Sequence, residues 1–172
     1  LEHMNQILSD LYVRDSVTGL YNRMGYQKLS ISYFTIMREK KMPVLVMFID
    51  LDRLKYINDT FGHEYGDFAI VSIAKAMLKH CDADAIAART GGDEFIVLEG
   101  AKDEESGRVL AQKIRTELSK TQRAMQLPFD LSASIGVVVA HPGEENVLES
   151  YVKRAEMLMY EEKAEKKVSR DS

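Results

Sequence analysis

The run VLVMFI, Val44–Ile49, follows Pro43 and leads directly into Asp50, Leu51 and Asp52. An unbroken aliphatic and aromatic stretch of this length between turn signals reads as a strand buried in the middle of a sheet, and it is far too short to cross a bilayer. Asp50 and Asp52 stand two apart at its end, so a strand that continues through both points them to one face, with Leu51 turned the other way. Paired carboxylates beside a low-dielectric core require a cation or a large rise in pKa. That requirement is the first constraint on what the chain does.

The remaining elements follow from periodicity and turn chemistry. Asn5–Val13 reads as a short helix and DSVTGLYNR as a turn. Asn22 is placed to cap a helix over Met24–Lys40. Short and long helices are expected near Leu54–Thr60 and over Tyr65–His80, where Ile70, Ile73, Ala74, Met77 and Leu78 recur at helical spacing. Ala85–Arg89 and Phe95–Glu99 read as strands joined through Gly91 and Gly92, a hairpin in which glycine is expected to supply positive φ. Glu104–Lys120, Phe129–Ala140 and Val147–Lys166 complete the chain as helix, long strand and helix. This order predicts an α+β fold of split βαβ type, a largely antiparallel sheet with helices packed on it.

With 172 residues, 45% hydrophobic and 29% charged, the chain has the size and composition of one globular domain with a real core. Its net charge of −4 argues against a nucleic-acid surface. A single cysteine, Cys81, excludes an internal disulfide and fits a reducing compartment, so a cytoplasmic domain without membrane contact is expected. The opening LEHM resembles a cloning remnant, and Leu1–His3 are set aside in reasoning about the fold. Residues 1–14 are expected to be this remnant and a stalk helix, and residues 15–172 the domain proper, with a sensory part upstream in a longer parent protein.

Two acidic sites are expected to meet. The hairpin tip in RTGGDEFIV supplies Asp93 and Glu94, and if it lies beside the central strand, three or four carboxylates converge. Hard oxygen ligands in that number suit Mg²⁺ or Mn²⁺. Either acidic pair alone is more often a solvated cap or turn than a metal site, so the weight rests on what surrounds them. In DRLKYINDTFGHEYGD, Lys55 is placed as a point charge for a phosphate, and Asn58 and Asp67 carry the acceptors and donors that distinguish guanine from adenine. Near the other end, Lys163 and Lys167 stand four apart on one helical face, within reach of a triphosphate.

DSVTGLYNR, IDLDRLKYINDTFGHEYGD and RTGGDEF, in this order and spacing, resemble the GGDEF domain of bacterial diguanylate cyclases from Asp15 to about Lys167. The resemblance implies a palm-like, ferredoxin-type βααββαβ core that binds one GTP and works as a homodimer. It implies Asp50, the Leu51 carbonyl, Asp93 and Glu94 as ligands of Mg²⁺ or Mn²⁺, and Asn58 and Asp67 as readers of guanine. Lys55, Lys163 and Lys167 would bind phosphates, Lys55 would also oppose transition-state charge, and Asp93 or Glu94 would accept the proton of the 3′-hydroxyl. Two GTP would be condensed to cyclic di-GMP and pyrophosphate across a C2 axis. A non-catalytic GTP-binding module and another palm-type nucleotidyl transferase are the competing readings.

Some positions depart from the pattern. Thr90 and Leu54 replace bulkier residues, and Lys166-Lys167-Val168 stand where Gly-Arg-Asn is expected. Asp82 and Ala85 occupy the places of an inhibitory Arg-x-x-Asp, so that product-binding site is expected to be absent.

Overall fold

The computed structural model describes residues 1–171, with the side chains of all but Gln6, Ser9, Asp10 and Leu11. Its elements are α1 (Glu2–Tyr12), α2 (Arg23–Glu39), β1 (Val44–Leu51), α3 (Leu54–Phe61), α4 (His63–His80), β2 (Ile86–Arg89), β3 (Glu94–Gly100), α5 (Glu104–Ala124), β4 (Ala133–Ala140) and α6 (Leu148–Asp171). The four strands form one sheet in the order β2-β3-β1-β4, with every neighbouring pair antiparallel. From β1 onward this is the expected βααββαβ core.

Every residue of β1 is buried, as an unbroken apolar run demands. Alternation divides its side chains between two layers. Leu45, Met47, Ile49 and Leu51 pack with α4 and α5 residues such as Ile73, Met77 and Ile114. Val44, Val46 and Phe48 meet Phe34 and Met37 of α2 and Tyr151, Ala155 and Met159 of α6. Asp50 continues this second series, so it emerges on the α2/α6 face. Helix α6 comes so near the sheet that a Cβ on Gly136 would overlap the Ala155 carbonyl and stand 2.6 Å from the Met159 nitrogen.

Several boundaries move from those expected. Helix α1 begins at Glu2, inside the segment set aside as a remnant, because backbone helix formation does not depend on where a segment came from. Met4, Ile7, Leu8 and Tyr12 are exposed along it. Strand β4 starts at Ala133: Phe129 and Leu131 are buried apolar residues outside any strand, and their burial without pairing made the run look longer. Helices α5 and α6 run on to Ala124 and Asp171 through mostly polar residues that carry little apolar periodicity. Asn22 caps α2 as expected, accepting from the Gly25 N–H at 2.8 Å. Among the described residues no helix is long and apolar enough to cross a membrane.

Candidate active site

The hairpin brings its acidic tip to the end of β1. Asp50 lies opposite Glu94 in the β1–β3 register, and the Leu51 N–H donates to the Asp93 carbonyl at 2.9 Å. The tip is not the two-residue turn that the glycines suggested. Its loop spans Thr90–Asp93, and neither Gly91 nor Gly92 adopts positive φ, because a longer loop does not need a primed turn to match the strand twist. Gly91 instead gives room: a Cβ there would stand 3.1 Å from Glu94 Oε2.

Two arginines hold the loop from behind. Arg89 donates to the Gly92 carbonyl through Nε at 3.2 Å and Nη2 at 2.8 Å, and its Nη1 reaches Asp15 Oδ2 at 3.3 Å. Asp15 also accepts from the Thr18 N–H and hydroxyl at 2.9 and 2.7 Å. Burial pushes the Asp15 carboxyl up, but the Thr18 bonds and Arg89 outweigh it and hold it below the ordinary value. Arg23 donates from Nε to the Thr90 carbonyl at 3.0 Å. Arg89 was not expected at the site, and its place directly before the glycine loop is the only signal for it in the sequence.

Asp50 is 6% exposed and accepts from Lys163 Nζ at 2.7 Å. Burial raises its pKa to about 6; Lys163 opposes the rise, and Asp93, within hydrogen-bonding reach, adds to it. Glu94 is also raised, by burial first and then by Asp93 and Glu156, against Arg23 and Lys163. Glu156, on α6, is a further acid of this neighbourhood that the sequence analysis passed over; its spacing of seven from Lys163 places both on one helical face. Among the described residues no three His, Cys, Asp or Glu side chains gather closely enough to enclose a metal. The set nevertheless fits Mg²⁺, which takes one or two carboxylates and keeps water and phosphate oxygens for the rest of its shell. Asp93 pushes up the carboxyls of both Asp50 and Glu94, and such crowding of acids is the charge arrangement a divalent ion relieves.

The proposed base readers also come together. Asn58 on α3 lies against Gly66 at the start of α4, so closely that any Cβ on Gly66 would overlap its amide oxygen. The exposed Asp67 follows immediately. Lys55 is exposed on the first turn of α3, and Lys167 is exposed on α6. Lys163 points inward to Asp50, so the two lysines sharing an expected face have different surroundings. Asp82, where an inhibitory arginine was looked for, is exposed, and its backbone N–H donates to the buried Glu99 carboxylate.

The family model described as "Diguanylate cyclase, GGDEF domain" matches residues 12–169. The chain belongs to the GGDEF family of diguanylate cyclases. Diguanylate cyclase VdcA of Vibrio cholerae is 35% identical over 153 residues, covering 87% of this chain and 43% of that protein. Cyclic di-GMP phosphodiesterase NbdA of Pseudomonas aeruginosa is 27% identical over 164 residues, covering 95% of this chain and 21% of that protein. The chain therefore spans less than half the length of these relatives. Among solved structures, the coiled coil and GGDEF domain of DgcB from Caulobacter crescentus, in complex with c-di-GMP, matches with a TM-score of 0.76 at 25% identity, covering 95% of this chain and 86% of that one. The antiparallel four-stranded sheet with helices on both faces is thus the palm-like core of a GGDEF domain, an enzyme family whose signature lies here at Gly91–Phe95.

Proposed function

We propose that this GGDEF domain condenses two GTP into cyclic di-GMP with release of two pyrophosphates. The observation that supports it most is the placement of Asp50 opposite Glu94, with the Asp93 backbone bonded to Leu51. Asp50, the Leu51 carbonyl, Asp93 and Glu94 would hold Mg²⁺ or Mn²⁺, which when bound polarises the α-phosphate and acidifies the attacking hydroxyl. Asn58 and Asp67 orient guanine, and Asp67 disfavours adenine by opposing a lone pair to its acceptor. Lys55, Lys163 and Lys167 bind the phosphates, and Lys55 offsets charge as the bond to the leaving pyrophosphate breaks. Asp93 or Glu94 takes the proton of the 3′-hydroxyl as its oxygen bonds to the α-phosphorus.

Each domain holds one GTP, so ring closure needs a second copy facing it across a C2 axis, each presenting its hydroxyl to the other's α-phosphate. Helix α1 with its exposed Met4, Ile7 and Leu8 is suited to a stalk that pairs two copies. Asp15 and Arg89 then connect that stalk to the loop behind the acids. The reaction belongs in the cytoplasm, where GTP is available, with a sensory part of a longer protein upstream.

A second reading, a GTP-binding regulatory module without turnover, draws support from the phosphodiesterase name of one relative. Incubating concentrated protein with GTP and Mg²⁺ and measuring pyrophosphate and product mass separates the two. Cyclic dinucleotide supports the cyclase; GTP binding without pyrophosphate release supports the module. Asp67→Ser is expected to relax discrimination against ATP, and a variant that still excludes ATP removes that residue from base recognition.

A further inference from the structure

Lys166 lies three positions beyond Lys163, where the family resemblance expects a glycine. Its ammonium group has three N–H donors, and the structure shows three acceptors for them. These are Asp52 Oδ2 at 2.7 Å, the Ala133 carbonyl at 2.8 Å and Glu162 Oε1 at 3.3 Å. The acceptors come from the β1–α3 turn, from β4 and from α6 itself. Asp52, only 4% exposed, also accepts from Ser132 and Ser134 hydroxyls, each at 2.7 Å, and its own N–H donates to the Ser132 carbonyl at 2.9 Å. Immediately after it, Arg53 begins α3 in the left-handed region, φ 59° and ψ 38°, a conformation that a non-glycine residue keeps only when its surroundings hold it.

Beyond Met159, the last buried residue of α6, polar contacts fasten the helix to the domain. Arg115 reaches Glu162 at 2.7 Å, Lys163 reaches Asp50 at 2.7 Å, and Lys166 reaches Asp52. The Lys163 bond goes to an acid at which a cation or a phosphate competes; the Lys166 bonds go to an aspartate already held by two serine hydroxyls, to a strand carbonyl and to a glutamate already paired with Arg115. Lys166 therefore joins the helix carrying Lys163 and Lys167 to the β1–α3 turn that leads directly into Lys55 on α3.

We propose that Lys166 is a positioning residue for triphosphate binding: it holds α6 against the β1–α3 turn so that lysines from both elements address one set of phosphates. The inference rests on the cyclase reading for its functional half. Glycine at this place could not form the tether, so the device is built from this chain's own residues.

Lys166→Met alone strands Asp52 in a buried site without its cation, so the decisive variant is Lys166→Met/Asp52→Asn, in which the amide keeps its serine neighbours and no charge is left unpaired. Hydrogen exchange of the amides of residues 160–167 is expected to quicken about tenfold, with β1 and α5 unchanged. In turnover, KM for GTP is expected to rise about tenfold with kcat altered less than about threefold, since a misplaced phosphate clamp weakens ground and transition state alike. Unchanged exchange overturns the tether, and faster exchange with an unchanged KM overturns the positioning role. Failure of the parent protein to turn over GTP would instead overturn the cyclase reading and the functional half that rests on it, while the exchange measurement still decides the tether.

Discussion

Asp50 lies in β1 and Asp52 just past its end, where the strand no longer runs through both as expected; both are nearly fully buried, yet their carboxyl groups are driven in opposite directions. Burial pushes both up. At Asp52, Lys166 and the hydroxyls of Ser132 and Ser134 outweigh burial and hold the carboxyl below its ordinary value. At Asp50, Lys163 is opposed by the neighbouring Asp93, and the carboxyl stays up at about 6. The difference is therefore one of neighbours rather than depth. Asp52 belongs to a finished polar network that fixes structure, whereas Asp50 belongs to a group of acids whose mutual repulsion a substrate-borne cation can relieve.

The largest effect should come from the frustrated side. Asp93→Asn is expected to lower turnover of GTP by at least about a hundredfold while leaving the melting temperature as high as before. Full turnover in that variant would break the assignment of the acidic tip to chemistry. Next comes the finished side: Asp52→Ala should lower unfolding free energy by about 2 kcal/mol, below the range for fully buried pairs because Lys166 is one-third exposed. A neutral result in urea denaturation would put Asp52 in the same class as Asp50.

The pH dependence sharpens the contrast. Asp50's folded-state pKa lies above its unfolded one, so its proton favours the folded state at low pH, and that contribution is lost as pH rises through about 6. Asp52's folded-state pKa is depressed, so it contributes stability above the ordinary carboxylate value, which disappears as pH falls through the folded-state value. Asp50→Asn should therefore stabilise the metal-free protein at pH 8 by about 1 kcal/mol and flatten its stability profile between roughly pH 4 and 6. Destabilisation at pH 8 would mean that the Lys163 pair outweighs burial and repulsion. The smallest effect is expected from Ser134→Ala, a loss of about 0.5–1 kcal/mol with a rise in the Asp52 carboxyl pKa, readable by NMR titration.

Much of this was visible in the linear chain. Val44–Leu51 announced a central strand, the glycines announced a hairpin, and the spacing of Asp50, Asp93 and Glu94 around them led to the expectation that acids would meet. Local patterns carry such information because burial repeats with the period of the backbone. Phe129–Leu131 misled for the same reason: buried apolar residues look like strand whether or not their backbone pairs. The φ of Gly91 and Gly92 was misjudged because loop length, which sets the turn type, depends on where the strand pairing stops.

What the sequence by itself determined was the order of the elements, the burial of the central strand, and which residues have the chemistry for a nucleotide and a metal. Only the tertiary structure decided how the charges are partnered. Lys163 meets Asp50 across 113 positions and Lys166 meets Asp52 across 114, while Arg89 spans 74 positions to Asp15. Contacts of this kind leave no periodic trace, since a lysine on a helix reads the same whether it faces water, a phosphate or a buried aspartate. Its role is set by the distance and solvation of its partner once the chain has closed.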